Sequence, residues 1–131
     1  MTKALTTVLC VFFLPILFVS CSSMPSIPEN ATATQLIQMG QDAFDLGNYK
    51  AAEICYNAVI EKYGTDANLY IEARYELGHM YLKQRKYNKA YAVFSEILSI
   101  YDSAGAVKLS GAFKKLAQIG IDRIPQKHRP N

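Results

Sequence analysis

Comparing the sequence with itself at an offset of 38 residues gives a clear register, and this duplication constrains the fold more than any other feature. Gly40 aligns with Gly78 and Ala52 with Ala90, so small residues match small residues in both copies. No proline interrupts residues 34–124, and apolar residues recur there at helical spacing. A repeat of this length is typical of folds that stack one supersecondary unit on its copy. The sequence therefore predicts one helical hairpin used twice.

The pattern predicts an all-α chain with two antiparallel hairpins and a C-terminal capping helix, arranged as an α-α superhelix. Gly47 and Asn48 suit the first turn, because glycine accepts left-handed dihedral angles and asparagine caps the helix that follows. Five helices are expected. The first hairpin would have helices from Thr34 to about Leu46 and from Tyr49 to Tyr63, and the second would have one from Thr65 or Asp66 to about Arg85 and one from the turn at 86–88 to about Tyr101. The capping helix would begin at Asp102 or Ser103 and end before Pro125.

The alternation of small residues and rings resembles the tetratricopeptide repeat. In that family a small residue on the first helix lets the second helix approach closely, and Gly40 and Gly78 hold that place. The resemblance implies that an aromatic residue and an alanine of the second helix fill the gap, and that the next aromatic fills the joint to the following repeat. These packing residues are Tyr49, Ala52 and Tyr56 in the first copy and Tyr87, Ala90 and Phe94 in the second.

Some positions depart from the family pattern. Arg85 stands where the second copy should carry a turn glycine, and Gly64 and Asp102 replace the closing prolines. The spacing exceeds the usual 34 residues by roughly one helical turn. Lengthened repeats of this kind resemble those of outer-membrane assembly lipoproteins of the BamD type and of the periplasmic helical protein associated with Tol–Pal. Because about three repeats are normally needed for a stable stack, docking to a partner or self-association is expected to complete the burial.

The start of the chain predicts export. Residues 8–19 are uniformly apolar, too short for the roughly 20 residues of a membrane-spanning helix, and Lys3 precedes them as in a signal peptide. Ser20 and Cys21 resemble a lipobox, with Phe18 in the place of the usual leucine. An ordinary signal peptide cut nearby, with Cys21 incidental, is the alternative. The predicted organisation is a removed leader over 1–20, a flexible tether over 21–33, a repeat domain over 34–124 and a polar tail over 125–131.

Composition and motifs argue against several other classes. Fourteen Lys and Arg against eleven Asp and Glu give a net charge of +3, too small to indicate a nucleic-acid partner. No catalytic triad, phosphate loop or Cys-x-x-Cys motif occurs, so neither an enzyme nor a cofactor is expected. Glu76-x-x-His79 resembles half of a di-iron motif, but no second pair exists, and a solvated helical face without metal is predicted. Cys55 is expected to be a buried apolar residue.

The resemblance also implies a concave groove lined by the first helix of each hairpin. Ile37 and Tyr75 stand where clamp-type members carry basic residues, so an acidic C-terminal tail is not the expected ligand. Mixed aromatic and polar residues suit an extended or helical peptide, although an exposed surface without contacts is the alternative for each of them. The predicted groove residues are Ile37, Gln41, Phe44, Glu72, Tyr75, His79, Lys83 and Lys114.

The sequence thus predicts a lipid-anchored adaptor that faces the periplasm and binds a protein partner in a cell-envelope complex. Outer-membrane assembly is the closest analogy, and it rests on fold resemblance. The alternative is a lipoprotein of solute uptake that associates with a substrate-binding protein, with a small apolar ligand as a further option. Ser22 follows Cys21 where inner-membrane lipoproteins of enteric bacteria carry aspartate, which favours the outer membrane.

Overall fold

The computed structural model describes residues 25–103 and 108–130, and the leader and the proposed lipid site Cys21 lie outside them. Within those ranges the chain forms α-helices and one short 3₁₀ helix, with no strand, so the prediction of an all-α helical repeat fold is confirmed. The helices are α1 (Ala33–Asp45), α2 (Tyr49–Tyr63), α3 (Ala67–Lys83), α4 (Tyr87–Ser103), α5 (Gly111–Asp122) and the 3₁₀ helix Gln126–His128.

Helix α1 begins before Thr34, the cap expected from the sequence. Thr32 is the N-cap: its hydroxyl accepts from the Gln35 backbone N–H at 3.2 Å, and the Gln35 side chain accepts from the Thr32 N–H at 2.8 Å. This reciprocal capping box satisfies two backbone donors that would otherwise lack a partner. A cap at Thr34 would offer no such pair, because Ile37, three residues later, has no side-chain group that can accept a hydrogen bond.

The fold reaches back into residues 27–33, which the sequence analysis places in the flexible tether. Ala31 is 3% exposed, and Ile27 packs against the same core cluster. The Tyr63 hydroxyl donates to the Ala31 carbonyl at 2.7 Å, and Lys62 Nζ donates to the Glu29 carbonyl at 3.1 Å. These contacts hold the segment on the end of α2, so less of the tether is free than expected.

The two hairpins use the same tight turn with different residues. Gly47 has φ 73° after α1, and Arg85 has φ 57° after α3. Glycine takes this left-handed conformation without steric cost, whereas a residue with a Cβ pays about 1–2 kcal/mol. In the first turn the Asn48 side chain accepts from the Ala51 N–H at 3.2 Å, which starts α2 at Tyr49, as predicted.

Glycines allow the helices of each hairpin to approach closely. A Cβ on Gly40 would lie 2.8 Å from Tyr56 Cδ1, and a Cβ on Gly78 would lie 2.7 Å from Phe94 Cε1. Both rings are fully buried, at about one per cent exposure. The rings that pack on the two glycines are therefore Tyr56 of α2 and Phe94 of α4, each about two turns after the start of its helix.

The aromatic residues at the start of α2 and α4 do not fill this gap, contrary to what the family resemblance implies. Tyr49 is 41% exposed, and Tyr87 is half-buried with its ring 4.8 Å from that of His128. Each is the first residue of its helix, too close to the turn to reach between the helix axes. Ala52 and Ala90, one turn later, are both completely buried.

Helix α5 caps the stack but begins well after Asp102 or Ser103, the start expected from the sequence. Helix α4 continues to Ser103, and residues 108–110 are not helical. The Asn68 side chain accepts from the Ser110 N–H at 3.1 Å, and the Tyr101 hydroxyl donates to the Ser110 carbonyl. These long-range bonds hold the segment extended until Gly111 opens α5.

Within residues 125–130, which belong to the polar tail predicted over 125–131, His128 and Arg129 contact the preceding helical part. Ile124 is completely buried, and Arg129 donates to the carbonyls of Ile124 and Asp122 at 2.7 and 2.6 Å. In α5, a Cβ on Gly120 would lie 2.5 Å from Phe94 Cε2. The Phe94 ring is thus enclosed by a glycine of α3 on one side and a glycine of α5 on the other.

Candidate functional site

Helices α1 and α3, the first helices of the two hairpins, border an open groove of about 370 Å³. Its walls combine three rings with amide and carboxylate groups, a composition that suits a ligand with both apolar and polar parts. The residues lining it are Gln38, Gln41, Phe44, Asp45, Tyr75, Glu76 and His79.

Five aromatic rings form a continuous series across this face, which we call the ring row: Tyr49, Phe44, His79, Tyr75 and Phe113. Successive ring centroids are 5.7, 5.7, 6.1 and 5.6 Å apart. Tyr75 and His79 are one helical turn apart on α3 and lie almost parallel, with 10° between their planes. The row therefore joins residues of α1, α2, α3 and α5 into one aromatic surface.

A polar contact beside the ring row ties α1 to α3. Gln41 Nε2 donates to Glu76 Oε1 at 3.1 Å. Burial raises the pKa of Glu76, and the nearby Glu72 carboxylate raises it further, while the bond from Gln41 lowers it. Burial also raises the pKa of Glu72. The α3 wall thus carries two carboxyl groups that are partly withdrawn from water.

His79 is held in its neutral form by its surroundings. Burial lowers its pKa, and the positive charges of Lys83 and Arg123 lower it further. The pKa of Tyr75 is raised by burial first and by Glu76 second, and lowered by Arg123. At neutral pH the centre of the ring row consequently presents uncharged rings beside carboxylates.

The structure brings four of the predicted groove residues together: Gln41, Phe44, Tyr75 and His79 line the same concavity. Glu72 is half-buried one turn before Glu76 on α3, and Lys83 is exposed near the end of that helix. The use of these residues in binding stays a prediction.

Two predicted groove residues lie elsewhere. Ile37 is 7% exposed within the core cluster that contains Leu36 and Val59, because its side of α1 faces α2. Lys114 Nζ pairs with Asp102 at 3.1 Å and lies 6.0 Å from the centre of the Tyr101 ring, so it turns toward α4. Each was assigned from the family register alone, which does not contain these contacts.

Sequence reasoning missed several residues of this face. Phe113 provides the α5 ring, one position before the lysine that was chosen. Glu76 was read with His79 as a solvated pair, whereas both are half-buried in the groove wall. Asp45 and Gln38 complete the α1 side, and their helical spacing from Gln41 could have indicated them. In the part of the chain that the structure describes, no group of three or more His, Cys, Asp or Glu residues could hold a metal ion.

Two other concavities lie outside the ring row. One of about 440 Å³ lies beside the start of α1 and is lined by Pro28, Asn30, Ala31, Gln35, Gln38 and Met39. Another of about 330 Å³ lies at the second hairpin turn and is lined by Arg85, Lys86, Tyr87, Asn88, Lys89 and His128. The first has no aromatic ring and the second has two, Tyr87 and His128, without a carboxylate beside them. The groove between α1 and α3, with three rings beside carboxylates, is the better candidate site.

Cys55 is completely buried in α2, and burial raises the pKa of its thiol. A raised pKa keeps the thiol protonated, and the protonated form is a poor nucleophile. The side chain therefore acts as a small apolar packing group.

Comparisons with known proteins agree with this architecture. Residues 71–103, which cover most of α3 and all of α4, match the family model for the tetratricopeptide repeat. The chain is 32% identical over 117 residues to a protein of Treponema pallidum (strain Nichols) described as uncharacterized; the match covers 87% of this chain and 45% of the relative. The chain thus spans less than half of that relative's length.

No solved structure matches this sequence. Within residues 25–103 and 108–130, none of the helices has the length and apolar character needed to cross a membrane. Tetratricopeptide repeats generally mediate contacts between proteins and are generally not enzymes. The second hairpin thus matches a tetratricopeptide repeat, and the described chain folds as an all-α helical repeat.

Proposed function

We propose that this chain is a membrane-tethered adaptor that binds a partner protein through the ring row and holds it in a cell-envelope complex. The observation that carries the proposal is the ring row itself. Phe44, Tyr75, His79 and Phe113 are only partly buried, although their rings lie side by side across three helices. Clustered aromatic residues of this kind contribute most of the binding energy in many protein interfaces.

The short stack favours a partner of substantial size. Two hairpins and one cap bury a small core, and repeat folds normally gain stability from each further neighbour. Leu46, in the first turn, is 85% exposed, and Tyr49, the ring-row residue that follows this turn, is 41% exposed. A protein segment laid along this surface would cover both areas at once.

The tether is proposed to start at a diacylated Cys21. The apolar run before it and the small Ser20 support processing at this position, and two acyl chains give stable membrane attachment. Packing of the folded part begins at Ile27. Six extended residue steps span at most about 22 Å, so the repeat domain would stay near the membrane surface. We propose the periplasmic side and the outer membrane, with outer-membrane assembly as the process served.

Capture from detergent-solubilised membranes tests the adaptor function. The expected result is a defined envelope protein that the parent chain retains and that the Tyr75→Ala variant loses. Tyr91→Ala is the matched control, because Tyr91 is a half-buried tyrosine of α4 outside the groove. Barrel-assembly subunits would support the proposed process, whereas a solute-binding protein would assign the chain to uptake. Equal capture by Tyr75→Ala and the parent would reject the site.

Membrane fractionation tests the tether. The Cys21→Ala variant should appear in the soluble fraction, while Cys55→Ala should remain attached, because its thiol is buried in α2. Incorporation of labelled palmitate should follow the same pattern. Unchanged membrane retention of Cys21→Ala would refute acylation, and separation of inner from outer membranes would test the proposed location.

A further inference from the structure

The charge of the groove indicates which kind of side chain it accepts. Two carboxylates, Asp45 of α1 and Glu76 of α3, line the groove, and Glu72 adds a third nearby. No Lys or Arg is among its lining residues. The positive charges that act on this wall come from residues outside the lining: Lys83 and Arg123 lower the pKa of His79, and Arg123 also lowers that of Tyr75. The charge carried by the lining side chains themselves is therefore negative.

These carboxylates have no cationic partner in the described part of the chain. Elsewhere in it, Arg74 pairs with Glu96 and Lys114 with Asp102, but neither Asp45 nor Glu76 forms an ion pair. Glu76 accepts only an amide hydrogen bond, from Gln41. A cation stabilises a half-buried carboxylate that has one uncharged partner more than it stabilises a solvated carboxylate, because water screens the attraction between the two charges less.

The rings beside the carboxylates suit the same ligand. A cation lying within about 6 Å of a tyrosine or phenylalanine ring centre is attracted by the ring face, and the attraction grows as water is excluded. A guanidinium group can also stack on a ring while it binds a carboxylate through two hydrogen bonds. Carboxylate and aromatic groups are both present within one groove of about 370 Å³.

We propose that the groove accepts a lysine or arginine side chain of the partner, stacked on Tyr75 and Phe44 with its charge facing Glu76 and Asp45. This inference rests on the proposed adaptor function and deepens it. The partner segment that enters the groove is therefore basic, and an acidic segment is repelled by the same carboxylates.

Peptide binding to the full detergent-solubilised chain tests this inference. Three fluorescently labelled 15-residue peptides share one neutral sequence and differ in three central positions, which are arginine, glutamine or glutamate. We expect the arginine peptide to bind at least about tenfold more tightly than the glutamine peptide, from one ring-stacked ion pair. The glutamate peptide should bind most weakly, and the preference should shrink as salt is raised.

Matched variants separate the groove from the overall charge. Glu76→Gln removes the charge but keeps an acceptor for Gln41, and it should weaken binding of the arginine peptide about tenfold. Glu61→Gln makes the same charge change at an exposed position of α2, outside the groove, and should leave binding within about twofold of the parent. Thermal unfolding of both variants checks that the fold is kept.

The inference is overturned if the three peptides bind equally, if none binds, or if the two variants behave alike. These failures differ from failure of the adaptor function. A captured partner that depends on Tyr75 but enters the groove through an acidic or neutral segment would leave the adaptor standing and reject the cationic ligand.

Discussion

Adding one methyl group at Gly78 tests the packing that joins the two hairpin helices. The Cβ of a Gly78→Ala variant would lie 2.7 and 3.0 Å from two atoms of the Phe94 ring and 3.1 Å from Val93 Cγ1. The ring cannot retreat, because Gly120 of α5 already contacts its opposite edge. The variant must therefore separate α3 from α4 or distort the ring's rotamer.

The expected cost follows from two opposing terms. Overpacking a well-filled core costs about 1–3 kcal/mol, while replacing glycine by alanine in a helix contributes up to about 1 kcal/mol in the other direction. We expect Gly78→Ala to lower the free energy of unfolding by about 1–2 kcal/mol, or roughly 4–15 °C in Tm for a domain of this size. Gly111→Ala is the control: its Cβ would meet nothing within 4 Å, so that variant should gain about 0.5 kcal/mol.

Urea unfolding followed by circular dichroism at 222 nm measures both variants. A Phe94→Leu change in the Gly78→Ala background should recover part of the loss, with a coupling of at least about 0.5 kcal/mol between the two sites. If Gly78→Ala stabilised the protein as much as Gly111→Ala, α3 and α4 would not approach closely at this glycine, and the reasoning would be refuted.

Three further perturbations test other parts of the structure. Arg85→Gly should raise the free energy of unfolding by about 1 kcal/mol, because φ 57° suits glycine as it does at Gly47; no gain in a urea titration would count against this. Tyr63→Phe removes the 2.7 Å hydrogen bond to the Ala31 carbonyl. It should lower the free energy of unfolding by about 1 kcal/mol and speed proteolysis near Ala31. An unchanged cleavage rate would argue that this bond does not hold the segment before α1 in place. Burial lowers the pKa of His79 in the folded chain, so as the pH falls the unfolded chain is protonated at this residue before the folded chain is. The free energy of unfolding should therefore fall as the pH drops through about 6.5. The free energy of unfolding of the parent should fall more over this pH range than that of His79→Phe. Equal decreases would contradict a lowered pKa of His79.

The sequence predicted the hairpins well because their signals are local. Asn48 and Gly64 flank α2 directly, and that helix begins and ends where expected. The start of α5 was missed because Asp102 and Ser103 look like helix caps, while the bond that holds Ser110 comes from Asn68, about 40 residues away. No local sequence pattern predicts a contact between residues so far apart in the chain.

The candidate site was predicted in part for a similar reason. Tyr75 and His79 follow from helical spacing on one face of α3. Ile37 and Lys114 were misplaced because each makes a tertiary contact, Ile37 in the cluster with Val59 and Ala73 and Lys114 with Asp102, that a family register does not carry. Phe113 was overlooked for the same reason, although it lies next to the lysine that was chosen.

Photo-crosslinking in intact cells tests most directly whether the groove holds a protein partner. A photoactivatable residue at position 41, in the groove wall, should form a defined adduct, and Tyr75→Ala should abolish it. The same residue at position 61, on the exposed side of α2, should form none. Equal adducts at both positions, or an adduct at position 61 alone, would contradict binding through the ring row.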